Sequence, residues 1–397
     1  MLPAHLTTTL VILLICFPAF SSAELGKNAP KAVKGGYAMV VLPDTQLYAW
    51  KHQKTFLEQT DWIAENAKHY NIKCVLHVGD IVQNNNDQEW KIAAGAMAVL
   101  NGRVPTVMCL GNHDLGPGGN ASTRETLLSK YFPVAGAEKE PTFGGVYDKE
   151  PEKLDNYYRL IEAGGRKWLV MALEFGPRND VVRWAGEIVA KHPDHSVFLV
   201  THAYMASKGN VRFNRNGGRP QGAAPHNYGV ARHPDGFHDG EELWQKLVKN
   251  HPNFAMVVSG HVCFSALRTD KTDGGTQVHQ MLCDYQQAPN GGSGYLRLMQ
   301  FLPDGETVRV DDYSPTLDRA SDKPLSRFEL KLAPLAEAEP RFLPELERTM
   351  MLLAARDCRQ SPEAGLLEAA QRERVAAQLN AALNTARRAG FRDAFVR

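Results

Sequence analysis

Five short apolar segments, each followed by residues that can bind metals or carry protons, constrain the fold of this chain. The segments are YAMVVL (37–42), CVLHV (74–78), PTVMCL (105–110), SVFLV (196–200) and FAMVV (254–258). Each is continuous rather than alternating, as expected for a strand that is covered on both faces. Segments between them have apolar residues at helical spacing, for example Phe56, Ile63 and Tyr70. This alternation predicts an α/β sheet with crossover helices.

The second half of the sequence has a different pattern. From about residue 155 it contains hairpin-like segments with turns at Gly164-Gly165 and Pro303-Asp304-Gly305, which predict a second, largely antiparallel sheet. Residues 203–240 are rich in Gly, Pro, Asn, Arg and His and show no periodicity. Because this segment is too long for an ordinary connection, we expect either a functional loop or disorder.

The amino-terminal residues 1–23 predict a signal peptide. An apolar run from Leu10 to Phe20 precedes Ser21-Ser22-Ala23, small residues at the usual cleavage positions. The run is short for a membrane span of about 20 residues. We therefore expect an exported protein, secreted or periplasmic, without a stable membrane span after cleavage. Since no Lys or Arg precedes the run, an uncleaved membrane anchor is the alternative.

The carboxy-terminal residues 341–397 are rich in Ala, Leu, Glu and Arg. Val375, Leu379 and Leu383 fall on one stripe at helical spacing, which predicts a helical extension outside the α/β pattern. Such an extension offers a surface for self-association.

Composition excludes some classes of protein. The net charge of +1 over 397 residues gives no global attraction to nucleic acid or anionic lipid, so no nucleic-acid partner is indicated. Without a CxxC pair the chain does not resemble a disulfide-built scaffold, and at most two disulfides could form after signal cleavage. The five cysteines that follow the signal are Cys74, Cys109, Cys263, Cys283 and Cys358.

The residues that follow the five apolar segments are the candidate site. Because the carboxyl ends of strands in α/β sheets line one crevice, these side chains can converge despite their separation in sequence. A single Gly-Asp or Gly-His pair carries little weight, but an ordered set of five predicts a shared metal site. The set is Asp44, Asp80, Asn112-His113-Asp114, His202 and His261.

The motifs PDTQ, GDIV, GNHD, VTHA and GHVC resemble those of the calcineurin-like metallophosphoesterase family, over a predicted domain of residues 33–317. The resemblance implies a two-sheet β-sandwich flanked by helices, in four layers, with a site for two metal ions. It implies that Asp44 binds one metal, that Asp80 bridges both, and that Asn112, His202 and His261 bind the second. Mixed oxygen and imidazole ligands suit Mn, Fe or Zn.

The resemblance also implies the catalytic residues. His113 would lie beside the leaving group, where an imidazole can protonate a departing alkoxide, and Asp114 would orient its ring.

Two positions depart from the family pattern, and both belong to the metal held by Asp44. Gln46 stands where the family usually has His, and Cys263 stands where the last motif usually ends in His. Gln46 can offer a carbonyl oxygen. Cys263 is either a metal ligand, a partner of Cys283 in a disulfide, or a buried thiol. We therefore expect an asymmetric site with one tight and one exchangeable metal.

These features predict an exported metal-dependent phosphoesterase that hydrolyses a small phosphate ester with a metal-bridging hydroxide. The alternative is a secreted, non-catalytic binding protein whose metal site has degraded at Gln46 and Cys263. Secondary candidates for phosphate contacts are Asn84 and Asn85 and the arginines of residues 203–240, namely Arg212, Arg215, Arg219 and Arg232. His77 is expected to be a satisfied core histidine.

Overall fold

The computed structural model describes residues 26–215 and 223–334. Within them the strands are β1 (Tyr37–Leu42), β2 (Ile72–His77), β3 (Thr106–Met108), β4 (Phe143–Val146), β5 (Tyr157–Ala163), β6 (Arg166–Ala172), β7 (Ser196–Val200), β8 (Met205–Ala206), β9 (Val211–Arg212), β10 (Phe254–Ser259), β11 (Phe264–Lys271), β12 (Gln277–Asp284), β13 (Leu296–Phe301), β14 (Thr307–Ser314), β15 (Arg319–Ala320) and β16 (Arg327–Lys331). The α-helices are α1 (Gln46–Lys51), α2 (Gln53–Asn66), α3 (Asp87–Ala98), α4 (Leu128–Tyr131), α5 (Val134–Ala137), α6 (Asn179–Lys191), α7 (Gly240–Lys246) and α8 (Pro289–Gly292). The predicted signal peptide and carboxy-terminal extension lie outside the described residues.

The first sheet has the strand order β15-β14-β13-β1-β2-β3, and β16 also pairs with β14. β1, β2 and β3 are parallel, whereas β13 pairs antiparallel with β1. All six residues of β1 are buried, as its continuous apolar sequence predicts. The loops after β1, β2 and β3 therefore leave the same edge of this sheet and carry Asp44, Asp80 and Asn112.

The second sheet has the order β11-β12-β10-β7-β6-β5-β4. β6, β7, β10 and β12 are parallel neighbours, and the antiparallel strands lie at the two edges. The prediction of a largely antiparallel second sheet was wrong. α6 connects β6 to β7 and α7 precedes β10, and crossover connections of this kind make neighbouring strands parallel. His202 and His261 follow two of these parallel strands.

The two sheets pack face to face. The Trp168 indole of β6 donates a hydrogen bond to the Tyr37 hydroxyl of β1 (2.8 Å) and packs edge-on against Phe301 of β13 (5.3 Å between ring centroids). On the outer faces, Phe56 of α2 packs in the core of the first sheet, while Trp184 of α6 packs against the second. The predicted fold class, a two-sheet sandwich flanked by helices, is confirmed.

Residues 203–240 are ordered into local structure where the structure describes them. β8 and β9 form a hairpin, and 3₁₀ turns cover Pro225–Asn227 and Gly229–Arg232. The segment ends at α7, whose capping box joins Asp239 to the Glu242 backbone and side chain and so fixes where the helix begins. No helix in the described ranges is long and apolar enough to cross a membrane.

Candidate metal centre

Four ligand atoms meet at the carboxyl ends of the strands, and we call this group the second metal seat. The atoms are Asp80 Oδ1, Asn112 Oδ1, His202 Nε2 and His261 Nδ1. His202 Nε2 lies 3.2 Å from each of the other three. Ligands about 2.1 Å from a common ion lie roughly 3 Å apart, so this spacing suits a transition-metal ion.

The two imidazoles of the second metal seat have fixed tautomers. His202 Nδ1 lies 2.7 Å from the Val78 carbonyl oxygen, and His261 Nε2 lies 2.7 Å from the Ala223 carbonyl oxygen. Each of these nitrogens donates its hydrogen to a carbonyl, so His202 Nε2 and His261 Nδ1, which lie 3.2 Å apart, are the ring nitrogens that can bind a metal ion. The residues therefore fit a bound metal ion.

Three buried carboxylates lie beside the second metal seat, near enough for the charges of two of them to raise the pKa of the third, and we call this group the first metal seat. They are Asp44, Asp80 and Asp284, and the Gln46 amide completes the group. Their side-chain partners in the described residues are backbone N–H groups, side-chain amides and His202, none of them a lysine or arginine. Asp44 Oδ1 and Gln46 Oε1 are buried without a hydrogen-bond partner among those residues. Buried negative charge and unpartnered oxygens fit a cation here too.

Asp284 and Gln286 were missed by sequence reasoning. Asp284 ends β12, and its two oxygens accept hydrogen bonds from the Gln286 backbone N–H (2.8 Å) and side-chain amide (2.9 Å). The Gln286 amide nitrogen also lies 3.4 Å from Asp44 Oδ2, and its oxygen accepts a hydrogen bond from Gln46 (2.7 Å). The strand-end criterion that selected the other candidates would have selected Asp284, because it follows the apolar residues Met281–Cys283.

Close approach explains two glycines of the site. A Cβ atom at Gly111 would collide with Asp80, and one at Gly260 would collide with Asp44. Any larger residue would push these carboxylates out of place.

The electrostatics of the carboxylates follow from burial and mutual repulsion. Burial, and then the charges of Asp284 and Asp80, raise the pKa of Asp44 well above its ordinary value. Burial also raises the pKa of Asp284, to about 6. Burial acts in the same direction on Asp80, but the His202 and His113 imidazoles outweigh it and lower the pKa of that carboxyl. Asp80 is thus the most strongly ionised acid of the three.

The two site histidines have opposite pKa shifts. Burial and the neighbouring His202 lower the pKa of His261 to about 4, so this ring is neutral near pH 7. Burial also disfavours charge on His202, but the Asp80 carboxylate outweighs it and raises the pKa of His202.

His113 lies beside the two metal seats, and hydrogen bonds hold both its backbone and its ring. Its backbone N–H donates to Asp80 Oδ1 (2.8 Å), and its Nδ1 lies 2.9 Å from the Gln83 carbonyl oxygen. Because Nδ1 is engaged, Nε2 is the ring nitrogen left to meet a substrate.

Asp114 does not orient the His113 ring, contrary to the expectation from the resemblance. Its two oxygens accept hydrogen bonds from the backbone N–H groups of Val82 (2.9 Å) and Gly111 (2.8 Å). These loops carry Asp80 and Asn112, so Asp114 holds in place the loops of two candidate metal ligands. Gln83 supplies the contact to the ring instead. Burial and the charge of Asp80 raise the pKa of Asp114 to about 8.

Cys263 is a free, buried cysteine, as is Cys283, so the disulfide alternative is wrong. Burial, and then the charge of the Asp284 carboxylate, raise the pKa of the Cys263 thiol. A buried thiol whose pKa is raised supports the buried-thiol alternative. Coordination of a metal by Cys263 stays a prediction.

The polar residues near the second strand have structural roles. His77 is buried between Thr45 Oγ1 (2.9 Å) and the Gly79 N–H (3.2 Å), which confirms it as a satisfied core histidine. Asn84 donates to Glu89 (2.6 Å). Asn85 donates to two backbone carbonyls and accepts from the Trp90 indole, so both of its amide ends are occupied without a phosphate.

The arginines of residues 203–240 are held by carboxylates where the structure describes their contacts. Arg212 is buried and pairs with Glu241 (2.7 Å) and Asp270 (2.6 Å). Arg215 pairs with Glu242 (3.1 Å). Both arginines thus serve to fasten this segment.

For two further arginines, phosphate binding stays a prediction. The Arg232 side chain is exposed, and Arg219 lies outside the described residues. A second group of possible ligands, His226, Asp239 and Glu242, has the Arg215 guanidinium against it, 3.1 Å from His226 Nε2. That cation makes the group an ion-pair network.

The sandwich and the converging ligand atoms define a metal-binding protein of the phosphoesterase class. The family model of the calcineurin-like phosphoesterases matches residues 39–264, more than half of the chain. The chain belongs to the calcineurin-like phosphoesterase family, as the resemblance of its motifs predicted.

Similar proteins come from bacteria, plants and animals. The uncharacterized protein YvnB of Bacillus subtilis (strain 168) is 34% identical over 290 residues, which are 71% of this chain and 20% of YvnB. This chain thus spans about a fifth of the length of that relative. A dimetal phosphatase from Danio rerio is 11% identical, with 75% of this chain and 99% of that chain covered and a TM-score of 0.45. The purple acid phosphatase PPD1 from yellow lupin (Lupinus luteus) is 14% identical, with 75% and 54% covered and a TM-score of 0.44.

Proposed function

We propose that this chain is an exported, metal-dependent phosphoesterase that hydrolyses a small phosphate ester at the two metal seats. The observation that carries the proposal is the facing pair of imidazole nitrogens, 3.2 Å apart with Asp80 and Asn112 beside them. Mn, Fe or Zn ions held there would neutralise phosphate charge and lower the pKa of a bound water.

His113 is the proton donor in this proposal. Its Nδ1 is engaged by Gln83, so a protonated ring presents its Nε2–H to the substrate and transfers that proton to the departing alkoxide oxygen. The backbone hydrogen bond from His113 to Asp80 keeps the ring next to the metal ligands.

Aromatic rings wall the site around His261. The rings of Phe175, Phe213 and Tyr228 lie 5.7, 5.6 and 5.9 Å from its ring, measured between centroids. A wall of this kind lowers the local dielectric constant and strengthens the attraction between bound cations and a phosphate.

Export rests on the sequence of residues 1–23, where an apolar run precedes a small-residue cleavage site. Amino-terminal sequencing of the protein recovered from the natural host should find the chain starting at or close to Glu24. Recovery of the intact amino terminus in the membrane fraction would instead support the anchor.

Hydrolysis is tested with the full chain, loaded with Mn²⁺ or Zn²⁺, on nitrophenyl phosphate and bis-nitrophenyl phosphate. Asn112→Ala removes one ligand of the second metal seat and should lower kcat/KM by at least about 10-fold. Gln245→Ala, an exposed amide on α7, is the matched control and should keep full activity. Metal binding without turnover above that of Asn112→Ala would favour the non-catalytic binding protein.

Self-association through residues 341–397 is a separate part of the proposal. Analytical ultracentrifugation of the full chain and of a chain ending at residue 334 should show a larger species only for the full chain. Identical sedimentation of both would remove this role.

A further inference from the structure

The first metal seat lacks the two imidazoles that the family pattern supplies at positions 46 and 263, but it has a carboxylate that the pattern does not mention. Asp284 is fully buried at the end of β12. β12 runs parallel to β10, and Ser259 of β10 pairs with Leu282. Asp284 therefore emerges beside the loop that carries His261, at the same edge of the second sheet.

Asp284 fixes the position of Gln286. One carboxylate oxygen accepts the Gln286 backbone N–H at 2.8 Å, and the other accepts its side-chain N–H at 2.9 Å. A side chain held at both its backbone and its amide has little rotamer freedom.

Gln286 in turn contacts both side chains of the first motif. Its amide nitrogen lies 3.4 Å from Asp44 Oδ2 and 3.4 Å from the His261 carbonyl oxygen, and its amide oxygen accepts the Gln46 N–H at 2.7 Å. These contacts also determine which end of each amide is nitrogen. Reversing Gln286 would set its oxygen against three acceptors, which repel it.

We infer that Asp284 is a positioning residue for the first metal seat. Through Gln286 it holds Asp44 and Gln46 in place, and its buried charge stabilises a cation in a seat that lacks imidazole ligands. The inference rests on the proposed metal-dependent function.

The charges of the buried acids support this role. Asp44, Asp80 and Asp284 are all buried, and their partners in the described residues include no lysine or arginine. Burial of three acids with His202 as the only basic side chain among their partners there is costly, so the cluster is explained if metal ions supply further positive charge. Outer-shell residues of this kind typically contribute 10- to 100-fold to metal affinity.

The test measures Mn²⁺ binding to the full chain, by the electron paramagnetic resonance signal of free Mn²⁺, without any activity assay. The wild type should show one tight and one weaker site. Asp284→Asn keeps the shape of the side chain and removes its charge, so it should weaken the weaker site by about 10-fold or more and leave the tight site unchanged. The unchanged tight site shows that the variant is folded.

Two further variants separate positioning from a general structural role. Gln286→Ala should weaken the same site, and its combination with Asp284→Asn should cost less than the two effects multiplied, because both act through one contact. Cys263→His in the Asp284→Asn background should restore much of the lost affinity, since an imidazole ligand reduces the need for the buried charge. Gln245→Ala should bind Mn²⁺ like the wild type.

The outcomes distinguish this inference from the proposed function. A wild-type chain that binds no Mn²⁺ overturns both. Mn²⁺ binding at two sites, with the weaker site unaffected by Asp284→Asn and Gln286→Ala, overturns the inference alone. Equal weakening of both sites also overturns it, because Asp284 would then support the fold as a whole.

Discussion

Metal binding should stabilise the folded chain, and the geometry of the second metal seat predicts which ions do so. His202 Nε2 and His261 Nδ1 lie 3.2 Å apart with the Asp80 and Asn112 oxygens beside them, so a single cation can contact all four side chains. Because the ligand atoms of this seat belong to loops after four different strands, they come together only in the folded state. Binding free energy at the seat is therefore folding free energy.

The magnitude follows from the size of the fold. At a Mn²⁺ concentration of 100 times the Kd, a single site raises the free energy of unfolding by about 2.7 kcal/mol. Unfolding entropy is roughly 2.1 cal/mol/K per residue, or about 0.6 kcal/mol/K for a fold of about 300 residues. The Tm should therefore rise by about 4 °C. Each 10-fold loss of affinity removes about 1.4 kcal/mol, which corresponds to about 2 °C.

Differential scanning calorimetry of the metal-free full chain, titrated with Mn²⁺ and separately with Ca²⁺, measures this shift. Ca²⁺ has the same charge but prefers six to eight oxygen ligands, so a seat with two imidazoles should respond to it much less. Asn112→Ala should reduce the Mn²⁺ shift by about 2 °C or more, while Gln245→Ala should keep it. Equal shifts with the two ions, or an undiminished shift in Asn112→Ala, would refute the reasoning.

Four further substitutions test individual contacts. Asp114→Ala leaves two buried N–H groups without acceptors and should lower the free energy of unfolding by about 2–5 kcal/mol in urea titrations. If Asp114 only oriented the His113 ring, the substitution would instead change the pH profile of activity and leave the free energy of unfolding intact. Burial and Glu174 raise the pKa of Asp155 to about 7, so between about pH 4 and pH 7 this carboxyl is protonated in the folded state and ionised in the unfolded state. The free energy of unfolding should therefore fall as pH rises from about 4 to 7. Asp155→Asn should reduce this slope, and an unchanged slope would contradict the raised pKa of Asp155. Arg212→Ala should lower stability by about 1.5–3 kcal/mol with KM unchanged, and a raised KM with normal stability would restore the phosphate-binding hypothesis. Cys263→Ser keeps a hydrogen-bond donor and should leave Mn²⁺ affinity unchanged, while loss of the weaker site would establish the thiol as a ligand.

The parts of the fold that the sequence predicts are those with strong local signals. β1 and β7 have the predicted bounds, because continuous apolar runs between polar turns mark buried strands. The side chains that converge at the second metal seat were predicted to share a site because each closely follows such a run. The second sheet was misjudged because a hairpin turn identifies only the two strands that it joins, and β6, β7 and β10 become parallel neighbours through helices distant from those turns.

The roles of particular side chains depend on contacts that no local pattern encodes. Asp114 and His113 are adjacent in sequence, yet their side chains form hydrogen bonds with different partners. After β3 the chain turns so that Asp114 accepts the Val82 N–H, while the His113 ring contacts the Gln83 carbonyl oxygen. Arg212 lies in a segment whose composition suggested phosphate binding, but its guanidinium forms ion pairs with two carboxylates, one from α7 and one from β11. Which acid meets which base is decided by tertiary packing.

The departures at Gln46 and Cys263 are better understood together with Asp284 and Gln286 than as separate losses. An imidazole binds a metal through one nitrogen and needs a single outer contact to fix its tautomer, as the Val78 carbonyl does for His202. A side-chain amide binds a metal ion more weakly than an imidazole does, and it can rotate so that its nitrogen and oxygen exchange places. Neighbouring groups must therefore fix its orientation. Gln286 imposes it on Gln46, and Asp284 imposes it on Gln286. If this dependence is correct, Gln46→His should make the weaker metal site insensitive to Gln286→Ala. Persistent sensitivity in that background would show that Gln286 acts on the seat through Asp44 rather than through Gln46.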